Sequence, residues 1–169
     1  MSKRWKIRPE GSNWGEFGDD DQVGRINLLT PECVKAAAAE VHEGIKFCLS
    51  LPLDYPGGNI LNPRRFPPVV SPTELNGEKW MNYPMGKFIQ GATDVVSDDQ
   101  VLLTLQYSTQ WDSLAHVGSH FDADYDGVAE QVYYNGFRAG QHVLGPDQSS
   151  HPGAFALSID NFAVEPIQG

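Results

Sequence analysis

The chain has 169 residues and sets 12 Lys and Arg against 22 Asp and Glu, a formal charge of −10 with neutral histidines. Its hydrophobic share of 40%, with 4 Trp, 6 Tyr and 8 Phe, excludes an intrinsically disordered chain and predicts the packed core of one domain or of a piece of a larger one. The acid excess also argues against non-specific nucleic-acid binding, because the basic clusters at Lys3, Arg4 and Lys6 and at Arg64 and Arg65 are too small to reverse the field.

No stretch approaches the roughly 18 unbroken apolar residues that span a bilayer. The opening Met-Ser-Lys-Arg-Trp-Lys-Ile-Arg-Pro-Glu is followed by no apolar core, so the expectation is a cytoplasmic protein with neither export signal nor membrane anchor. Cys33 and Cys48 have no metal-ligand spacing and are read as buried, reduced thiols. Seventeen glycines and 12 prolines exceed the usual share and predict long loops.

In chain order, residues 3–29 are polar and glycine-rich without helical or strand period. They read as an ordered arm, because Trp5, Trp14 and Phe17 are costly to leave in water. Thr30 as N-cap, Pro31 at the first helical position, Glu32 in the first turn and Gly44 as the stop predict a helix over 31–43. Val34, Ala37, Ala38 and Val41 would pack one face of it on the core. Ile45, Phe47, Leu49 and Leu51 alternate with polar or small residues and predict a half-buried strand ending at Pro52.

Residues 54–98 are dominated by turn formers and read as a long irregular loop. Its Tyr55, Arg64, Arg65, Phe66, Trp80 and Tyr83 suit either a lid over a pocket or a loop packed on a sheet. The run Val-Leu-Leu-Thr-Leu-Gln-Tyr at 101–107 predicts a central strand buried on both faces.

Metal-competent side chains crowd the segment that follows: Asp112, His116, His120 and Asp122. A strand end is where ligands are aimed into a crevice from a rigid support. On spacing alone, His116 and His120 share one face of a helix with Asp122 adding a carboxylate, or Asp112, His116 and His120 line one stripe. A third pattern, Asp122-Ala-Asp124-Tyr-Asp126-Gly127, reproduces the first half of a calcium loop. It has Tyr133 where the bidentate glutamate belongs, so the plainer reading is a turn whose aspartates bond their own backbone amides.

Four motifs together resemble the cyclase family, which includes bacterial kynurenine formamidase and isatin hydrolase, and within it the large-subunit branch. They are Trp14-Gly15 through Asn27-Leu28-Leu29-Thr30-Pro31-Glu32, Ser50-Leu51-Pro52-Leu53-Asp54, Thr109-Gln110-Trp111-Asp112-Ser113-Leu114-Ala115-His116, and Tyr133-Tyr134-Asn135-Gly136. The resemblance implies an α+β, swivelling β/β/α domain with a mixed sheet and long loops. It also implies a metal-dependent hydrolase of the arylformamidase type, acting on an amide or cyclic amide as in tryptophan catabolism.

In that family the motif HxGTHxDxPxH supplies ligands for one or two zinc or manganese ions. With Thr109 as the motif threonine, its first two histidines fall on Gln106 and Gln110, its aspartate on Asp112 and its last histidine on His116, which would also be catalytic. The glutamines keep an oxygen donor and lose the imidazole nitrogen, which tilts affinity toward harder ions such as manganese. Trp111 would pack the site wall or an aryl substrate. A second register places the metal on His116, His120 and Asp122.

The family carries further histidine and glutamate groups downstream, and this chain ends at Gly169. The expectation is therefore the N-terminal portion of one cyclase-like domain, incomplete at its C-terminus and self-associating as a homo-oligomer around a small-molecule substrate. The alternative from a different class is a catalytically silent cyclase-fold binding or assembly module, motivated by Gln106 and Gln110.

Overall fold

The structure, a computed structural model, describes residues 3–164. In chain order the elements are a 3-10 turn at Gly24–Leu28, α1 (Pro31–Ala39), β1 (Val69–Pro72), β2 (Glu74–Leu75), β3 (Glu78–Lys79), β4 (Tyr83–Pro84), a 3-10 turn at Met85–Lys87, β5 (Val95–Val96) and β6 (Asp99–Leu102). There follow β7 (Ser119–Phe121), β8 (Glu130–Val132), a 3-10 turn at Tyr134–Gly136, β9 (Val143–Leu144), β10 (Gly153–Ala154) and α2 (Asn161–Val164). The class is α+β. Among the described residues the strands pair as two-stranded antiparallel ribbons, β1 with β6, β2 with β3, β4 with β5, β7 with β8 and β9 with β10.

Two compact units divide the chain: Met1–Lys46 with Trp111–Gly169, and Phe47–Gln110. The core of the first is built on Trp5, Trp14, Val132, Tyr134, Phe137 and Leu157. The arm is ordered as expected, because its two indoles are buried and meet edge to face at 5.6 Å. Each indole removes about 150–250 Å² from water, worth roughly 4–6 kcal/mol as an upper bound at about 25 cal/mol per Å². Phe17 is half-buried. Backbone bonds fasten the arm as well, the Lys6 and Ile7 N–H groups both donating to the Ala123 carbonyl at 2.7 and 2.9 Å.

The second unit has its own small aromatic cluster. Trp80 stacks on Tyr83 at 4.7 Å and meets Phe88 edge-on at 5.6 Å. The stretch 54–98 is therefore not one irregular loop. Its turn formers close hairpins, and Asn76 and Gly77, at φ 53° and 81°, are the two left-handed residues that join β2 to β3.

Other expectations fail for one common reason. Residues 45–51 form no strand, and Phe47 and Leu49 are 78% and 89% exposed. A half-buried strand needs a neighbour to bond and a face to cover, and an alternating pattern supplies neither by itself. Likewise the strand expected over 101–107 is confined to β6, all of whose residues are exposed, although Tyr107 is buried.

Helix α1 starts as expected, with the Thr30 hydroxyl accepting from the Cys33 N–H at 3.4 Å, but it ends at Ala39 instead of residue 43 and buries no residue. A helix this short draws its stability from tertiary packing, which this face lacks. For the same reason Cys33 and Cys48 are exposed, not buried.

Candidate active site

Asp112 and His116 come together in the first unit, the His116 Nε2 lying 4.0 Å from the Asp112 Oδ1. No helix does this, since residues 112–118 are irregular. Instead the Ser113 carbonyl accepts the His116 N–H at 3.0 Å and the Ser113 hydroxyl accepts the Ala115 N–H at 3.3 Å, a serine-centred turn that folds the two side chains toward each other.

Both line a cleft of about 330 Å³ whose walls include Trp14, Gly118, Tyr133 and Tyr134. A methyl group on Gly118 would stand 2.7 Å from the Val132 carbonyl oxygen and 3.1 Å from the Tyr133 ring. Only glycine permits that approach of β7 to β8.

The aromatic wall is fixed by Asn135, fully buried at φ 53°, a left-handed conformation that asparagine tolerates. Its side chain accepts the Gly15 N–H at 2.8 Å and donates to the Gly18 and Asp21 carbonyls at 3.0 and 2.9 Å. The Arg4 guanidinium donates to the Asn135 carbonyl at 3.1 Å and lies 3.9 Å above the Phe137 ring.

Beside Asn135, the Tyr134 hydroxyl donates to Asp21 at 2.9 Å. Burial, and then that bond to a carboxylate, push the phenol's pKa well above its ordinary value, so Tyr134 holds its proton. His142 supports the same corner, its Nδ1 accepting the Arg138 N–H at 3.0 Å and its ring meeting Phe137 edge-on at 5.0 Å.

The remaining expected residues fall elsewhere. Trp111 is 72% exposed, meets Phe162 edge-on at 6.4 Å, and does not line the cleft. Gln106 and Gln110 belong to the second unit, where the Gln106 carbonyl accepts from Arg65 at 2.8 Å. His120, opposite Gln131 in the β7–β8 pair, faces away from Phe121, which packs on the core.

Asp122 accepts the Asp126 and Gly127 N–H groups at 3.0 and 2.8 Å, and Asp126 accepts the Val128 N–H at 2.8 Å, the self-bonded turn expected of this text. Asp122, Asp124, Asp126 and Glu130 nonetheless bring four carboxylate oxygens within 4.8 Å of one another, a group able to hold a metal ion. Neither His116 nor His120 belongs to it. Arg138 already neutralises part of the group, its Nη2 lying 2.5 Å from Asp124 and 2.9 Å from Glu130.

No family model and no curated protein matches the chain. Among solved structures there is a clear relative, the crystal structure of a novel cyclase. The chain is similar to it at 31% identity with a TM-score of 0.64. The likeness covers 88% of this chain and 42% of that one, so the chain spans less than half the length of its relative.

Asp112 and His116 offer a carboxylate oxygen and an imidazole nitrogen, donors of the kinds that bind divalent cations, and at 4.0 Å apart they stand about 0.6 Å wider than two bonds of about 2.0–2.2 Å to a tetrahedral ion would set them. Sequence reasoning gave Asn135 only a place in the Tyr133–Gly136 motif, with no structural role, and gave Arg138 none. The Asn135-Gly136 dipeptide was the available sign of a left-handed turn. Nothing in the sequence pairs Arg138 with Asp124.

Proposed function

We propose that the chain belongs to the cyclase family and contributes to a metal-dependent hydrolase acting on an amide or cyclic amide, with an aryl substrate of the N-formylkynurenine kind. The observation that carries this reading is the Asp112–His116 pair in an aromatic-walled cleft, on a chain 31% identical to a cyclase.

Asp112 and His116 would hold manganese or zinc, and a bound divalent cation supplies Lewis acidity toward the substrate carbonyl. The chain's own part is a carboxylate, Asp112, that would hold the ion, and an imidazole, His116, that would serve as a second ligand or, where it is not a ligand, move a proton. Trp14 and Tyr133 offer flat apolar surface to an aryl group. Tyr134 contributes shape alone, since its hydroxyl proton is held by Asp21. Because the chain spans 42% of its relative, the proposal is for a share of an active site.

Metal content and hydrolysis of N-formylkynurenine and isatin, measured for the wild type and His116→Ala, test this. Stoichiometric metal unchanged in the variant would remove His116 from the site. A silent binding module remains the second reading, favoured by Gln106 and Gln110. Millimolar manganese or zinc that leaves the melting temperature unmoved would favour it, because a ligand of the native state raises that temperature by mass action.

Self-association is proposed as well, on the exposed Val69, Val70, Val101 and Leu102 of the β1–β6 ribbon. Light scattering at increasing concentration checks it. A monomer throughout would overturn it.

A further inference from the structure

A second cleft of the first unit, about 830 Å³ in volume, lies in the N-terminal arm and carries the opposite charge to the chain as a whole. Lys3, Arg8 and Arg25 line it against a single acid, Glu16. Asp19, 3.8 Å from the Lys3 Nζ, is a second carboxylate beside the cleft, so on a chain of formal charge −10 three cations against two carboxylates still leave a local positive excess that attracts small anions.

The cations are also weakly committed. Arg8 gives one nitrogen to the Trp14 carbonyl at 2.5 Å and, among the described residues, forms no ion pair. Arg25 likewise forms none, and Lys3 reaches Asp19 only at 3.8 Å. Asn13 adds a carboxamide to the lining, and at the margin the Ser12 hydroxyl is buried with no hydrogen-bond partner. The volume falls in the range of about 300–1,000 Å³ typical of small-molecule sites.

From this convergence we infer that the arm cleft is an oxyanion site, taking a small molecule through a carboxylate or phosphate group gripped by Arg8 and Arg25. Guanidinium groups match both anions with two parallel hydrogen bonds, and such charge-assisted bonds are the strong ones. The site needs no metal and does not depend on the Asp112–His116 cleft.

The experiment titrates the full chain with inorganic phosphate and, separately, with citrate, each against sodium chloride at matched ionic strength. Calorimetry gives the affinity, and the amide resonances of Ser12, Asn13 and Gly15 give the location. The expected result is saturable binding that shifts those amides, weakened at least about tenfold in Arg25→Gln and partly restored in Arg25→Lys. Arg25 is exposed and, among the described residues, forms no ion pair, so the variant separates binding from stability.

Saturation by phosphate alone or by citrate alone would support the site and name the anion it prefers. No saturation, equal shifts with chloride, or an unchanged affinity in Arg25→Gln would each overturn it.

Discussion

The Asn135 side-chain oxygen accepts the Gly15 N–H at 2.8 Å, joining residues 120 positions apart in the chain. Through this bond the Tyr133–Gly136 turn and the N-terminal arm become one structure, and the cleft acquires Trp14 on one wall and Tyr133 and Tyr134 on another. Replacing Asn135 with Ala strands one donor and two acceptors in a region closed to water on the Asn135 side. The expected loss is about 1–3 kcal/mol in urea unfolding. A change below roughly 0.5 kcal/mol, the range of ordinary surface substitutions, would show that the bond does not hold the arm.

Gly118 lines the same cleft and sets the spacing of β7 and β8. In Gly118→Ala the added methyl must displace the Val132 carbonyl or the Tyr133 ring, since it would lie 2.7 Å from the one and 3.1 Å from the other. Overpacking of this kind costs about 1–3 kcal/mol. Thermal unfolding is the measurement, and a melting temperature equal to that of the wild type would contradict the close approach.

His142 makes stability depend on pH. Burial first, and the nearby Arg4 charge second, hold its pKa below the ordinary histidine value, while the unfolded chain titrates near that value, about 6.5. Below that pH the unfolded state therefore binds more protons than the folded one. The contribution of a neutral His142 is complete above about pH 6.5 and is lost as the pH falls toward the lowered folded value. His142→Asn keeps an acceptor for the Arg138 N–H and removes the titration. Urea unfolding between pH 7.5 and 5 should show a shallower decline in the variant, and parallel curves would refute the assignment.

Arg138 holds Asp124 and Glu130 together, with side chains that keep 23%, 32% and 17% of their surface exposed. That partial exposure places the cost of Arg138→Gln below the 3–5 kcal/mol of a fully buried pair, at about 1–2 kcal/mol. The deficit should grow at low salt, where the unpaired carboxylates repel most. Chemical unfolding at two ionic strengths reads this out, and a variant as stable as the wild type at both would show that the pair is not needed.

Features that depend on a few neighbouring residues were legible from the sequence. The Thr30 cap, the aspartate turn from Asp122 to Asp126 and the burial of Trp5 and Trp14 follow from local chemistry and from the cost of leaving indoles in water. The Asn76-Gly77 hairpin was equally open to reading, and the density of Gly and Pro around it hid it. Tertiary structure alone decided the rest. An alternating pattern such as 45–51 states that a face is to be covered and leaves the cover unnamed, so Phe47 and Leu49 stand exposed. The Asp112–His116 approach rests on a turn at Ser113 where their spacing suggested a helix, and the grip of Asn135 on Gly15 spans a separation over which no local preference acts. Hydrophobic periodicity carries the identity of the buried side and not that of its partner, and partnership is a property of the folded chain.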